Sequence, residues 1–280
     1  MNITSSALDR LAINTDLVRP VLVNFLREEI YKVGYQRAVV GLSGGIDSAV
    51  SLALATEALG PRNVQAVVMP YRTSSAASEA DARRLAEQFG VAVRKVEITP
   101  MVEPLLSADA QMSNVRRGNV MARMRMIVLY DQSEEFKALV VGTSNKTELL
   151  LGYGTLHGDM ASALNPIGDL YKTQLRQLAR AIGIPHPVID KPPTADLWVG
   201  QTDESELGVT YEVADQILFM LVDERCQEQD VIAAGFDPAI VRALNLRIRT
   251  NQFKRSLPII AKISGRSIGT DFLYLRDWGR

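Results

Sequence analysis

The stretch "AVVGLSGGIDSAV" at residues 38–50 constrains the fold more than any other part of the sequence. An apolar run stops at a loop of glycines and serine, and a segment typical of a helix follows. A loop of this kind leaves free backbone N–H groups at the N-terminus of the helix, where they can bind an anion. The pattern therefore predicts an α/β fold with an anion site at its first strand-helix junction.

Short β-branched runs alternate with longer amphipathic segments through the first half of the chain. The runs that predict strands buried on both faces lie at 39–40, 64–69, 91–98 and 138–141. The helices predicted between them run to about Lys32, from about Ser48, from Ser78 to Phe89 and from Asn114 to Glu135. This alternation predicts a Rossmann-like, doubly wound parallel sheet.

The second half of the chain has a different texture. From 142 to 208 it is rich in glycine, proline and acidic residues, and only one clear helix is predicted there, at about 173–182. Beyond Thr210, which can cap a helix, the pattern predicts a helical C-terminal part that reaches Phe253. No repeat or linker divides the sequence, so we expect residues 1–280 to form a single domain.

Composition excludes several classes of protein. The 280 residues are 47% hydrophobic with a formal net charge of -1, which gives no basic excess for nucleic acid. The sole cysteine, Cys226, excludes an intrachain disulfide and a cysteine-rich zinc site, and it favours a reducing cytoplasm. No secretion signal precedes the first helix and no apolar run reaches the ~18 residues of a membrane span, so we expect a cytoplasmic protein.

The first loop carries both hydroxyls and a carboxylate. Asp47 would repel a bare phosphate, so its presence predicts a Mg²⁺ ion that bridges carboxylate and phosphate. A glycine-rich turn with Asp47 as a cap is the simpler alternative. The residues predicted to bind the anion are Gly41, Leu42, Ser43, Gly44, Gly45, Ile46, Asp47 and Ser48.

The same loop also matches the GxSxG nucleophile elbow, which makes a serine hydrolase the rival hypothesis. That elbow normally follows several strands and precedes a late histidine. Here one strand precedes Ser43 and the last histidine is His186, so the match is poor. A nucleotide-binding module without catalysis is a third possibility.

Ser-Gly-Gly-x-Asp-Ser after a first strand resembles the signature of the ATP pyrophosphatases, which cleave ATP between its α and β phosphates. This signature occurs equally in amide-forming synthetases, GMP synthetase, asparagine synthetase and tRNA-thiolating enzymes. Further motifs, in an order similar to that of the NAD synthetases, are "GNVMARMRM" (118–126), "VVGTSNKTELLLGYGTLHGD" (140–159), "NPIGDLYKTQLRQLA" (165–179), "KPPTADLWVGQTDESELG" (191–208) and "NQFKRSLP" (251–258). The resemblance extends from about Leu17 to Pro258.

The resemblance to NAD synthetases implies a reaction, a cofactor and partners. Members of that family use ATP and Mg²⁺ to adenylate the nicotinate carboxylate of deamido-NAD, and ammonia then displaces AMP. They are homodimers with a Rossmann-like sheet. By this resemblance Asp47 and Glu148 hold Mg²⁺, while Thr143, Lys172 and Thr194 join the first loop in binding ATP.

The resemblance also suggests residues for the second substrate. Asn119 and Arg123 are four apart and share a helix face, and Arg123 corresponds to a family contact with deamido-NAD across the dimer interface. Phe253 and Lys254 stand where the family contacts the same substrate. Asp159 is our candidate for binding ammonium and accepting its proton, with a turn-forming aspartate as the alternative.

One segment departs from many ammonia-dependent members. Leu156 and Ala163 stand where those proteins carry lysine and aspartate, and "GTLHGDMASAL" is more similar to glutamine-dependent enzymes. The late position of Cys226 argues against a fused glutaminase. We therefore expect free ammonia as the nitrogen donor, with a separate glutaminase subunit as an open alternative.

Overall fold

The centre of the molecule is a parallel sheet. The computed structural model describes residues 9–194, 203–256, 258–268 and 271–272. Within these residues the sheet has the strand order β3-β2-β1-β4, with Ala38 of β1 opposite both Val64 of β2 and Leu139 of β4. The strands are β1 (Ala38–Gly41), β2 (Val64–Val68), β3 (Ala92–Lys95) and β4 (Leu139–Val141).

Helices connect and cover the strands. Their bounds are α1 (Thr15–Lys32), α2 (Ile46–Leu59), α3 (Ala76–Gln88), α4 (Thr99–Leu106), α5 (Asn114–Phe136), α6 (Lys146–Leu151), α7 (Lys172–Ala181), α8 (His186–Ile189), α9 (Asp203–Leu207), α10 (Tyr211–Leu218), α11 (Glu228–Ala233) and α12 (Pro238–Thr250). No helix in the described part of the chain is both long enough and apolar enough to cross a bilayer.

Both faces of the sheet are covered, as the alternating pattern predicts. Val40 packs in an apolar cluster with α1, α2, α3 and α7, whereas Val39 packs on the other face with α4 and α5. Successive side chains of a strand point to opposite faces, so β1 contributes to both layers. The prediction of a doubly wound α/β sheet is confirmed. The prediction of burial on both faces is wrong for β3, whose position at the sheet edge leaves Ala92, Arg94 and Lys95 exposed.

The C-terminal part is helical, which is also confirmed. A further apolar cluster joins α6 with α10, α11 and α12, and its buried members include Tyr171, Ile217, Leu218 and Leu244. Thr210 caps α10, since its hydroxyl accepts the Val213 N–H. These helices therefore pack against the elements that follow β4.

The prediction of a single helix between 142 and 208 is wrong. Besides α7, that segment contains α6, α8 and α9. Each of these helices has six residues or fewer, too few turns for an apolar repeat to show in the sequence.

Candidate functional site

A cleft of about 500 Å³ opens at the carboxyl ends of β1 and β4. Its walls come from the loop after β1, the loop after β4, and the first turns of α2, α6 and α7. Ligands of open α/β sheets bind at this edge, where neighbouring loops diverge and leave a crevice. The cleft is thus the candidate functional site.

The loop after β1 is built closely against α3. Gly44 has φ +81°, and a Cβ at this position would clash with the carbonyl oxygen of Ser78. Only glycine combines this backbone conformation with so close an approach. The Ser48 hydroxyl donates to Gly45 O (3.0 Å) and accepts the Ser43 N–H (3.2 Å), so it shapes the loop from inside. Ser43 itself is exposed to the cleft.

Lys172 occupies the charged centre of the cleft. It is only 2% exposed, and its Nζ lies 2.5 Å from Asp47 Oδ2 and 3.5 Å from Glu148 Oε1. Burial favours the neutral amine, but the charges of Asp47 and Glu148 outweigh it, so the pKa of Lys172 is raised. Burial, followed by the charge of Asp47, raises the pKa of Glu148 to about 8. Two carboxylates that crowd together attract a cation at this point.

Asn145 fixes the geometry of both carboxylates. It caps α6 by accepting the Glu148 N–H at Oδ1 (3.0 Å), and Glu148 Oε2 accepts the Asn145 N–H in return (3.2 Å). This reciprocal pattern is a capping box. The free end of the same amide, Nδ2, donates to Asp47 Oδ1 (2.8 Å). One fully buried asparagine therefore links the loop after β1 to α6.

The two carboxylates suit a magnesium ion that is bound jointly by the protein and by the phosphates of a substrate. The described residues contain no group of three or more His, Cys, Asp or Glu side chains that could enclose a metal. Mg²⁺ usually takes one or two carboxylates and completes its octahedron with phosphate oxygens and water. Asp47 and Glu148 meet that requirement beside the loop predicted to bind an anion.

The opposite end of the cleft is formed by α5 and the loop after α6. The Thr155 hydroxyl donates to Asn119 Oδ1 (2.8 Å), and the Thr155 N–H donates to Asp159 Oδ1 (2.6 Å). Asp159 is open to the cleft, yet the surrounding walls partly desolvate its carboxylate and raise its pKa. This end combines neutral hydrogen-bonding groups with one acid.

Lys254 reaches into the same end from the C-terminal part. Its Nζ donates to the carbonyl oxygens of Gly152 (2.7 Å) and Gly154 (2.9 Å), and burial lowers its pKa. Its neighbour Phe253 is 59% exposed and does not line the cleft. Arg123 is also exposed, and its Nε donates to Leu156 O (3.3 Å) outside the cleft wall.

The structure brings most of the sequence-predicted site residues together. Gly44 lies behind the loop against α3. Those that line the cleft are Gly41, Leu42, Ser43, Gly45, Ile46, Asp47, Ser48, Asn119, Thr143, Glu148, Asp159, Lys172, Thr194 and Lys254.

Sequence reasoning missed Asp203, which also lines the cleft. Asp203 is buried, accepts hydrogen bonds from the hydroxyls of Tyr153 (3.0 Å) and Tyr211 (3.1 Å), and has a pKa that burial raises. It belongs to an acidic, polar run that gives no sign of burial. Arg125 was missed as well, because it lies within a cluster of arginines on α5. No local pattern distinguishes either residue.

Comparisons with known proteins agree with this geometry. The family model described as NAD synthase matches residues 18–258. The chain is 58% identical to the NH(3)-dependent NAD(+) synthetase of Trichlorobacter lovleyi over 98% of this chain and 100% of that protein.

Among solved structures, an NH3-dependent NAD synthetase from Campylobacter jejuni is similar, with a TM-score of 0.77 and 33% identity over 90% of this chain and 100% of that one. An NMN synthetase from Francisella tularensis is similar with a TM-score of 0.80 and 31% identity, over 89% and 99% of the two chains. The family model spans the anion-binding loop and every other sequence-predicted site residue. The chain therefore belongs to the NAD synthase family.

Proposed function

We propose that this chain is a carbon-nitrogen ligase that converts deamido-NAD to NAD, using ATP, Mg²⁺ and ammonia. The observation that carries the proposal is the cluster of Lys172, Asp47 and Glu148 beside the loop at the end of β1. The names of the similar proteins support ammonia as the nitrogen donor. The lone cysteine supports a reducing, cytoplasmic setting.

In the first half-reaction, a nicotinate carboxylate oxygen attacks the α phosphorus and the bond to pyrophosphate breaks. A carboxylate is a poor electrophile, and the mixed anhydride formed here makes its carbon reactive. The backbone amides of the 41–48 loop bind the phosphates, with Thr143 and Thr194 as further ATP contacts. The Lys172 ammonium stabilises charge that develops on phosphate oxygens. Asp47 and Glu148 would hold Mg²⁺, which when bound would supply further neutralisation of phosphate charge.

In the second half-reaction, ammonia attacks the activated carbon and AMP leaves. Ammonia is mostly ammonium at neutral pH, so the site must bind a cation and remove a proton. Asp159 at the far end of the cleft can do both, because it is an acid open to the cleft. Asn119 and Lys254 flank this end and bind deamido-NAD.

A homodimer completes the substrate site in this proposal. On α5, Arg123 lies four and seven residues before Ile127 and Tyr130, which are 53% and 42% exposed. Residues at this spacing share a helix face, and exposed apolar residues on it suit contact with a second copy. Arg123 and Phe253, which do not line the cleft of their own chain, then contact deamido-NAD at the interface.

The proposal is tested by incubating the protein with ATP, Mg²⁺, deamido-NAD and ammonium, and measuring AMP, pyrophosphate and NAD. We expect the three products in equal amounts. Asp47→Asn removes a metal ligand and the partner of Lys172, so it should lower pyrophosphate release at least about 100-fold while circular dichroism stays unchanged. Near-normal turnover of that variant would remove Asp47 from the metal site.

Nicotinate mononucleotide in place of deamido-NAD tests a second candidate, which the structural similarity to an NMN synthetase favours. A higher kcat/KM for the mononucleotide would reassign the substrate. Ester hydrolysis that a serine-directed reagent inhibits would favour the hydrolase, and ATP binding without any product would favour a binding module.

A further inference from the structure

A buried aspartate on α10 joins the two helices that carry Glu148 and Lys172. Asp215 is 0% exposed, and its carboxylate lies between the first turns of α6 and α7. Oδ1 accepts the hydroxyl of Thr147 (2.5 Å), and Oδ2 accepts the backbone N–H of Thr173 (2.7 Å). Each carboxylate oxygen is thus bonded to a different helix.

The two partners of Asp215 are the chain neighbours of the two charged residues in the cleft. Thr147 immediately precedes Glu148, and Thr173 immediately follows Lys172. The Thr147 hydroxyl also accepts the N–H of Lys172 (3.1 Å), so the bonds form a closed path across both helix starts. A displacement of Asp215 would move Lys172 and Glu148 relative to each other.

A second aspartate from the same part of the chain repeats the pattern further from the cleft. Asp223 accepts hydrogen bonds from Lys146 Nζ (2.8 Å) and the Tyr171 hydroxyl (2.5 Å), which belong to the same two helix starts. Asp223 is partly exposed and bonds to side chains alone, whereas Asp215 is buried and bonds to a backbone group. Asp215 is therefore the contact that sets the backbone positions next to the cleft.

Burial of an ionisable carboxylate is expensive, and an apolar residue of similar size is often more stabilising at such a place. Directional bonds to two helices are what an apolar residue cannot provide. We propose that Asp215 is a positioning residue, which holds Lys172 and Glu148 at the separation needed to grip a magnesium triphosphate. This inference rests on the proposed function and adds a residue that touches no substrate.

The test compares Asp215→Asn and Thr147→Val with Gln177→Ala. Gln177 is a matched control on α7, where its amide bonds to Ile13 N (3.0 Å) and Leu11 O (3.1 Å) away from the cleft. Calorimetry measures the binding of Mg²⁺ with α,β-methylene-ATP, and kinetics measure pyrophosphate release. We expect both Asp215→Asn and Thr147→Val to weaken binding and lower kcat about tenfold, because misplacement of reacting groups is costly. The KM for deamido-NAD should stay within twofold.

Thr147→Ser keeps the hydroxyl and should restore binding and kcat to within twofold of the wild-type values. The double variant with Asp215→Asn and Thr147→Val should lose little more binding or kcat than either single variant, because both substitutions break the same path of hydrogen bonds. The inference is overturned if the two variants lose stability like Gln177→Ala while nucleotide binding and kcat stay unchanged. It is also overturned if the KM for deamido-NAD rises as much as kcat falls, because the whole site would then be disturbed. Absence of NAD formation by the wild-type protein would instead reject the proposed function, and calorimetry would still decide the role of Asp215.

Discussion

Lys172 is an unusual residue, because a lysine is seldom fully buried unless it is paired. Here two carboxylates and the face of Tyr211, whose ring centre lies 5.1 Å from Nζ, surround its ammonium. Loss of one partner would leave an uncompensated charge in a desolvated place. The stability of the buried ammonium and its proposed role in phosphate binding therefore depend on the same neighbours.

Asp159 is the residue whose proposed role is most specific to one step. Asp159→Asn keeps an oxygen for the Thr155 N–H but cannot hold ammonium or accept its proton. We expect a single-turnover burst of pyrophosphate close to the wild-type burst, and NAD formation about 100-fold slower. Rapid-quench measurement of both products checks this. Equal loss of pyrophosphate and NAD would assign Asp159 to the first step or to the turn.

At the residue scale, the sequence identified side chains with suitable chemistry but did not show which acidic side chains are buried. The glycines and Asp47 stand out because they follow an apolar run directly. Asp203 and Asp215 do not, since an acid within a polar or amphipathic segment looks the same whether it is buried or solvated. Their positions depend on hydroxyl partners that are distant along the chain, such as Tyr153 and Thr147.

At the scale of elements, α6 shows how a short helix can organise a site. It has six residues, so its own backbone bonds give it little stability. The capping box of Asn145 and Glu148 supplies the missing contacts at one end. At the other end, Arg255 donates to the carbonyl oxygens of Leu149 and Leu150. Glu148, the side chain proposed to hold the metal, is thus part of the cap that lets the helix form.

Two substitutions at Asn145 separate its cap from its contact with Asp47. Asn145→Ala loses both contacts, so its free energy of unfolding should fall by about 1 kcal/mol and its unfolding temperature should drop. Asn145→Ser keeps a capping oxygen but loses the donor to Asp47, so it should retain most stability while kcat falls about tenfold.

Thermal unfolding and steady-state kinetics distinguish the two effects. Asp237→Ala is the control, because Asp237 caps α12 away from the cleft, and it should lower stability without changing kcat. Equal kcat in Asn145→Ser and the wild-type protein would contradict a role for the Asp47 contact.

The element scale also shows where sequence reasoning stops. Long elements such as α5 were predicted to within one residue, because several turns repeat the same apolar face. The capping box of α6 is visible as Asn145-Lys146-Thr147-Glu148, but six residues leave no repeat to support it. Short helices between 142 and 208 form because tertiary contacts complete them.

At the scale of the whole molecule, the parallel sheet was predictable and the packing of the C-terminal helices was not. Alternation of strands and helices is a local property, whereas the contact of α12 with α6 depends on residues about a hundred positions apart, such as Asn251 and Leu151. The single-domain organisation stays a prediction.

Global stability should depend on the ionisation of Asp215. Burial raises the pKa of Asp215 to about 6, above the ordinary value of 3.8, so the folded protein binds this proton more tightly than the unfolded chain. The contribution is complete below about pH 3.8 and is lost as the pH rises through about 6, which amounts to about 3 kcal/mol. Asp215→Asn lacks this dependence.

Urea unfolding at pH 4 and pH 7 measures the effect. From pH 4 to pH 7, the free energy of unfolding of the wild-type protein relative to that of Asp215→Asn should fall by up to about 3 kcal/mol. A difference that does not change with pH would contradict the assignment.

The burial of Lys172 also affects the stability of the cleft before any substrate binds. Its ammonium is tethered to the chain, so Asp47 and Glu148 keep one positively charged partner even in a solution stripped of divalent ions. Chelation should therefore empty the metal position without melting the surrounding helices, and the same molecules can be reloaded. Lys172 thus acts as a counterion that is part of the fold itself.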